Sequence, residues 1–373
     1  MTRLIHLADA HLGAPLGGFG KHAPARGEQV LNAFCALPEQ AAALDVALVV
    51  IAGDLFDGPR PDDATTAAVR ETVRRFRDAG IGVVAAPGNH DAASLSPNLY
   101  PDLFGHGAFT RPAFDEPITV QTEGGAIHVY GIAWDPAEEP DPLATFSRTD
   151  DEGLHIVLLH GAVPGAPHWS GGHSLRLPAD RLAALDVDYV ALGDYHRFRT
   201  PAEFEAPVTS ACYAGSFAAV DLSETGRHGF VLVELEEGEP PRTELHDSGV
   251  PEVVWIGPFD ASRFDSEAEV ADAVASELDV DAVPVVELTG EPSFALDPDV
   301  VRTELEARFG CAAVRDRTRF FDSTRIADLA TEKTIAGHVA RLGLERIENA
   351  GTKEEREIGA IGLRVALRVM EVE

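Results

Sequence analysis

The run Val49-Val50-Ile51-Ala52-Gly53-Asp54 limits what this chain can fold into more than any other stretch. A short, wholly apolar run of β-branched residues describes a strand buried on both faces, as in a parallel sheet covered by helices. The stop at Gly53-Asp54 sets a carboxylate at the strand's carboxyl end, the edge of an open α/β sheet where ligands bind. Taken alone, Asp54 and Asp57 read as a turn that caps the next helix. Asp54 gains weight because other apolar runs end the same way, and the expectation is that it bridges two metal ions.

Leu4 to Ala8 is followed by Asp9-Ala10-His11. Residues two apart on an extended backbone share one side, so Asp9 and His11 can converge on one ion. A carboxylate oxygen with an imidazole nitrogen suits Mn, Fe or Zn. Ile81 to Ala86 runs into Pro87-Gly88-Asn89-His90-Asp91. There Asn89 offers a neutral oxygen ligand, His90 a group able to reach a scissile phosphate, and Asp91 a carboxylate to fix that imidazole's tautomer. His155 to Leu159 ends in His160-Gly161, and Tyr189 to Leu192 ends in Gly193-Asp194-Tyr195-His196. Arg197 and Arg199 follow, spaced to clamp a phosphate. His128 and His155, inside strand patterns, read as ordinary strand residues. His168 and His173 carry no assigned role. Asn and Gly favour turns in any case, so no single motif is specific. Five strand ends bearing ligand types are.

Between these strands the sequence predicts a glycine-rich loop over the site at 15–24 and helices at 27–44 and 62–79. Arg70, Arg74, Arg75 and Arg77 on the second helix read as a solvated face. Residues 94–117 read as irregular, and further strands are expected at 118–121, 126–134 and 230–235. After Gly238 the character changes to a β-α-β-α-β order with no clustering of ligand types, then to helix from Arg325 with breaks near Gly343 and Gly351. The domain expectation is 1–238, 250–322 and 325–373.

Of 373 residues, 30 are basic and 62 acidic, a formal net charge of −32. Such a chain does not hold nucleic acid by its average field; a DNA substrate needs a local arginine patch and the metals. Cys35, Cys212 and Cys311 are too few and too scattered for a disulfide framework or a zinc knuckle. No apolar run is long enough to cross a bilayer, and Met1 to Ala10 reads as a core strand, so a cytoplasmic protein with no membrane contact is expected.

The joint set D-x-H, GD-x-x-D, GNHD, HG and GD-x-H, between about Leu4 and Ser216, resembles the calcineurin-like metallophosphoesterases. The later layout resembles the SbcD-type DNA double-strand-break repair nucleases and, more closely, their bacterial relatives, the DNA repair exonucleases. It carries fragments such as Val285-Val286-Glu287-Leu288-Thr289-Gly290 and Thr331-Glu332-Lys333-Thr334-Ile335-Ala336-Gly337. The resemblance implies an α/β fold, a four-layered αββα sandwich with a small C-terminal α/β cap and a helical tail. It implies that Asp9, His11 and His196 hold one divalent ion, that Asn89, His160 and Asp194 hold a second, and that Asp54 bridges them. His90 would stabilise or protonate the leaving oxygen, oriented by Asp91. The ions, roughly 3.5–4 Å apart, would clamp a phosphodiester and activate water. One departure stands out: the family usually has GHxH where this chain has Gly193-Asp194-Tyr195-His196. The extra carboxylate favours Mn2+ or Mg2+ over softer ions. Mn2+ is the first expectation, with Mg2+, Fe2+ and Zn2+ as alternatives. An SbcC-like ATPase partner at the helical tail and a homodimer are implied by the resemblance alone. The rival readings are a phosphoesterase for small molecules, which the acidity favours, and a non-catalytic scaffold.

Overall fold

The computed structural model describes residues 1–135, 142–163, 174–204, 208, 210–279, 281–292, 294, 296–318 and 323–370. It divides into two compact units, Met1–Val253 and Val254–Glu373. The first holds ten strands among the described residues: β1 (Thr2–Leu7), β2 (Leu48–Ala52), β3 (Gly82–Ala86), β4 (Ile118–Thr122), β5 (Gly125–Gly131), β6 (Leu154–His160), β7 (Tyr189–Gly193), β8 (Ala211–Tyr213), β9 (Gly229–Leu235) and β10 (Arg242–Asp247). Helices α1 (Ala23–Cys35), α2 (Leu37–Ala43), α3 (Asp63–Asp78), α4 (Leu99–Phe104) and α5 (Ala179–Ala183) lie between them.

The strands form two five-stranded sheets, ordered β10-β9-β1-β2-β3 and β4-β5-β6-β7-β8. β1, β2 and β3 run parallel, as do β5, β6, β7 and β8. The period-two alternation of side chains assigns each face. From β1 and β2, Ile5, Leu7, Val49 and Ile51 pack with Phe34, Val69, Val73 and Phe76 of the helices. Their neighbours Leu4, Leu48, Val50 and Ala52 instead meet Ile156, Leu158, Tyr189 and Ala191 of the second sheet. Val157, Leu159, Val190 and Leu192 face outward onto Leu182 of α5 and onto Leu143 and Phe204. The layers are therefore helix, sheet, sheet, and an outer layer in which α5 is short and loops do much of the covering. A buried polar link crosses the two sheets where His6 Nδ1 meets Tyr189 Oη at 2.8 Å.

The sequence expectations needed several corrections. The helix expected over 27–44 is two, because Pro38 has no N–H to give to an α-helical ladder and the second helix starts anew at Leu37. The expected loop at 15–24 is a 3-10 turn over Gly17–His22 with Phe19 buried, and α1 already begins at Ala23. The irregular stretch 94–117 contains α4. β10 was missed because it is an edge strand of mixed polarity, Arg-Thr-Glu-Leu-His-Asp, with neither face wholly buried; such edges carry little hydrophobic signal. It pairs with β9 throughout, so the first unit continues past Gly238.

α3 shows why the helices form where they do. The Asp62 side chain accepts from Thr65 N at 2.8 Å, a cap that satisfies a free helix-terminal donor. Thr65, Val69, Thr72, Val73 and Phe76 then line one buried stripe. On the outer face Arg74 pairs with Glu71 and Asp78, while Arg75 and Arg77 donate to the carbonyls of Cys35 and Phe104. Arg74, Arg75 and Arg77 thus brace the helix, and Arg70 is exposed.

From Val254 the second unit takes in all but the first two residues of β11 (Glu252–Asp260), then α6 (Glu267–Ala275), β12 (Ala282–Thr289), α7 (Pro298–Phe309) and β13 (Ala313–Asp316) in the expected alternation, with sheet order β11-β12-β13. Helices α8 (Ser323–Thr331), α9 (Ile335–Glu348) and α10 (Lys353–Met370) gather around Ile326, Ala340, Leu363 and Leu367. Gly343 does not break the helix as expected. It sits inside α9, where a Cβ would come within 2.3 Å of the Leu363 side chain, so it permits close helix approach. No helix among the described residues is long and apolar enough to cross a membrane.

Candidate metal centre

All five strand ends meet at one place. The chain leaves β1 through Asp9 and His11, β2 through Asp54 and β3 through Asn89, while β6 ends on His160 and β7 passes into Asp194 and His196. The convergence of Asp9 with His11 has a different origin from the one expected. Neither residue is extended: φ is 49° at Asp9 and 45° at His11, with 49° at Asp54 and 96° at Asp194. Left-handed backbone at non-glycine residues costs of order 1–3 kcal/mol each and collects where function holds it in place. Backbone bonds fix it here: Asp9 N donates to Gly53 O at 3.1 Å and His11 N to Asp54 O at 3.0 Å. Gly53 is required at this crossing, since a Cβ there would stand 2.3 Å from His160 Nδ1.

The imidazoles are oriented by what their Nδ1 atoms meet. His11 Nδ1 lies 3.1 Å from Asp57 Oδ1, His196 Nδ1 lies 2.7 Å from Glu224 Oε1, and His160 Nδ1 lies 2.9 Å from Ala52 O. Each partner is an acceptor, so in the neutral ring each Nδ1 carries the hydrogen and each Nε2 is left with a lone pair. Those lone pairs point inward. His11 Nε2 and His196 Nε2 face one another at 3.2 Å. His160 Nε2 faces Asn89 Oδ1 at 2.9 Å, Asp54 Oδ2 at 3.4 Å and Asp194 Oδ1 at 3.7 Å. Acceptors facing acceptors at these distances repel unless a proton or a cation lies between them.

Burial sharpens the point. Asp9 and Asp54 are 0% and 3% exposed, and buried carboxylates need a counter-charge. With protons as the only counter-charge, burial lifts the Asp9 carboxyl above its ordinary range, partly offset by His160 and His196. Burial also raises Asp54, but His160, His11 and His90 outweigh it and hold that carboxyl below its usual range. Burial opposes a charged His196, yet Glu224 and Asp9 push it up to about 9. Burial likewise opposes charge on His160, while Asp54, Asp9 and Asp194 raise it well above the normal value. Carboxylates that hold imidazoles protonated form a site a divalent cation enters by displacing protons. The donor set fits such ions. Among the described residues, Asp9, His11 and His196 form one triad within 4.8 Å and Asp9, Asp54 and His160 another.

Asp194 lies at the edge of the second set; its Oδ1 also accepts from Ser174 Oγ at 2.7 Å, and its N–H donates to Asp9 Oδ1 at 3.0 Å. His90 reaches the rim, with its side chain 43% exposed. Its Nδ1 stands 3.1 Å from Asp57 O, and its ring lies edge-on to that of His11 with centroids 4.7 Å apart. Asp91 does not orient it. Asp91 is fully buried and accepts from Phe56 N at 3.0 Å, Gly88 N at 2.8 Å and Tyr100 Oη at 2.6 Å. It clamps the loops after β2 and β3, because its side chain turns inward where its neighbour's turns outward. Burial and Asp54 raise its carboxyl to about 6 against those three donors. Asp57 contacts His90 instead, and the sequence reading missed that role.

The two arginines separate. Arg197 is exposed and borders an open cavity of about 370 Å3 with Asp194, His196 and Glu224. Arg199 turns away: its Nε donates to Glu203 O at 3.0 Å and its guanidinium lies 4.9 Å above the Phe204 ring. His128 and His155 stack inside the second sheet, bonded to Thr119 and Tyr130. His168 and His173 lie outside the described residues. Glu224 was not foreseen, since it sits in a loop with no motif around it.

The sequence model of the calcineurin-like phosphoesterase family matches residues 2–198. Among curated proteins, the chain is 30% identical to the DNA double-strand break repair protein Mre11 of Haloferax volcanii, over 90% of this chain and 71% of that one. It is 30% identical to the uncharacterized metallophosphoesterase YhaO of Bacillus subtilis, covering 63% of this chain and 58% of that one. It is 38% identical to the DNA double-strand break repair protein Mre11 of Aeropyrum pernix, covering 65% and 60%.

Proposed function

We propose that this chain, which belongs to the calcineurin-like phosphoesterases and is a hydrolase of phosphoester bonds, cuts the phosphodiester link of DNA in strand-break repair. The relatives named as break-repair proteins support the DNA reading. The observation that carries the chemistry is the inward convergence of three imidazole lone pairs on buried carboxylates.

Asp9, His11 and His196 would hold one ion, Asn89, His160 and Asp194 a second, and Asp54 both. When bound, a divalent pair polarises the phosphoryl group and lowers the pKa of water. Mn2+ is the ion proposed, because a donor set with three carboxylates and an amide oxygen beside three imidazoles is of intermediate hardness. The protein's own groups do the rest. Asp57 steadies His11 through Nδ1 and His90 through its carbonyl. His90, at the rim, meets the leaving oxygen and stabilises or protonates it. Arg197 takes a neighbouring phosphate at the cavity's edge. An SbcC-like ATPase is the proposed partner of the helical tail, where Leu342, Gly343, Ile358, Gly359 and Leu363 line a groove between α9 and α10. A homodimer and a cytoplasmic location complete the reading.

The test is a Mn2+-dependent assay on single-stranded DNA, duplex ends and generic phosphodiesters, with wild type, Asp194→His and His90→Ala. His90→Ala should lose about two to three decades of turnover while keeping its metal. Loss of metal would remove the role given to His90. The formal charge of −32 favours a small substrate, and a large preference for a small diester would displace the DNA reading.

A further inference from the structure

Glu224 reaches the centre from a loop more than twenty residues beyond the last ligand. Its Oε1 receives His196 Nδ1 at 2.7 Å. Its other oxygen is held in turn: Oε2 accepts from Val220 N at 3.0 Å and from Ser216 Oγ at 3.3 Å. Ser216 Oγ also meets His228 Nδ1 at 2.9 Å, and His228 Nε2 returns to Glu224 O at 3.2 Å. The backbone of the same loop is pinned where Gly226 N donates to Val253 O at 3.1 Å. A carboxylate with both oxygens fixed and one aimed at a ring nitrogen is a device for holding an imidazole in one tautomer and one orientation.

The three inward imidazoles are not backed alike. His11 and His196 each rest on a carboxylate, Asp57 and Glu224, whereas His160 rests on the neutral carbonyl of Ala52. A carboxylate partner raises the basicity of the imidazole it orients; a carbonyl does so less. We propose that Glu224 is a positioning residue for His196, and that with Asp57 it makes the Asp9–His11–His196 set the tighter of two unequal ion sites, so that the ion on the Asn89–His160–Asp194 side exchanges first. The inference rests on the two-ion reading given above and deepens it.

The test uses the full-length chain stripped of metal and titrated with Mn2+ alone, the free ion being counted by its electron paramagnetic resonance signal. Wild type shows two classes of Mn2+ site. Glu224→Gln and Glu224→Ala weaken the tighter class by about 10–100-fold, the usual effect of removing such an outer partner, and leave the weaker class in place. His196→Ala weakens the same class. The double variant His196→Ala/Glu224→Ala loses no more than His196→Ala alone, since Glu224 acts through that ring. Metal-free Glu224→Gln keeps one acceptor oxygen of two, so it loses a little stability and stays folded at the temperature of the titration. Glu224→Gln keeps an acceptor for His196 and is the variant to read should the alanine form fail to fold.

Equal Mn2+ affinities in wild type and Glu224→Gln would overturn the proposal and leave the two-ion reading standing. Additive losses in the double variant, or a fall in metal-free melting temperature that accounts for the weaker binding, would assign Glu224 to bracing its loop and overturn it too. Fewer than two Mn2+ sites in wild type would remove the two-ion reading itself, whatever Glu224 does.

Discussion

Asp91 lets the geometry be tested against the simpler inference from adjacency. Its carboxylate is the acceptor for three donors: Phe56 N, Gly88 N and Tyr100 Oη, at 3.0, 2.8 and 2.6 Å. The site is fully buried. Asp91→Ala leaves all three donors without that partner, and an unpaired buried donor costs about 1–3 kcal/mol. The void left by the carboxylate has room for some rearrangement, so the sum falls short of three full penalties. The expected loss is about 3–5 kcal/mol, at the high end for one substitution. Asp91→Asn keeps one acceptor oxygen and removes a charge that burial and Asp54 disfavour, so it should cost less, about 1–2 kcal/mol. The measurement is urea denaturation of the metal-free chain, following the transition of the first unit, since two units need not unfold together. The pH–rate profile of the surviving protein should keep its position, because the Asp57 carbonyl and not Asp91 meets His90 Nδ1. A stability loss under about 1 kcal/mol together with a displaced pH–rate profile in Asp91→Asn would refute the clamp and restore Asp91 as the partner of His90.

His6 carries a pH dependence of its own. Burial pushes its pKa down to about 3, against a small opposing pull from the Leu192 backbone. The folded protein therefore refuses a proton that the unfolded chain accepts below about 6.5. Stability is full above that value, falls as pH drops through the window, and is about 2 kcal/mol lower at pH 5 from this group alone. Denaturation of wild type and His6→Gln at several pH values reads the difference, and identical slopes would refute it. Gly53→Ala places a Cβ 2.3 Å from His160 Nδ1 at a position with φ 85°; it should cost about 2 kcal/mol or more and displace metal, measured as metal content per folded chain. Adding Mn2+ to chelator-stripped protein should raise the melting temperature of the first unit by mass action, and an unchanged melting curve would count against a cation among the buried carboxylates. Arg197→Ala should raise KM for a phosphodiester substrate by about tenfold, one charge-assisted bond. Arg199→Ala should leave KM in place, because its guanidinium is already committed to Glu203 and Phe204.

The sequence alone determined where the buried strands run and which residue types end them. Strands buried on both faces are largely apolar, so β2, β6 and β7 announce themselves, and ligand types stand where their apolar runs stop. The ends of β1, β2, β3, β6 and β7 marked Asp9, His11, Asp54, Asn89, His160, Asp194 and His196 as candidates, and the alternation of β11, α6, β12, α7 and β13 was legible too. Tertiary structure decided what lies between elements with no periodicity. Glu224 meets His196 and Tyr100 meets Asp91 through side chains whose local sequence carries no pattern. Whether Asp91 or Asp57 attends His90 depends on which way two adjacent side chains turn out of a loop, and an edge strand such as β10 needs a partner before its polar residues look like a strand at all. Patterns in a chain record burial, because burial repeats with the backbone; contacts between loops follow no repeat and exist only once the sheets have brought their ends together.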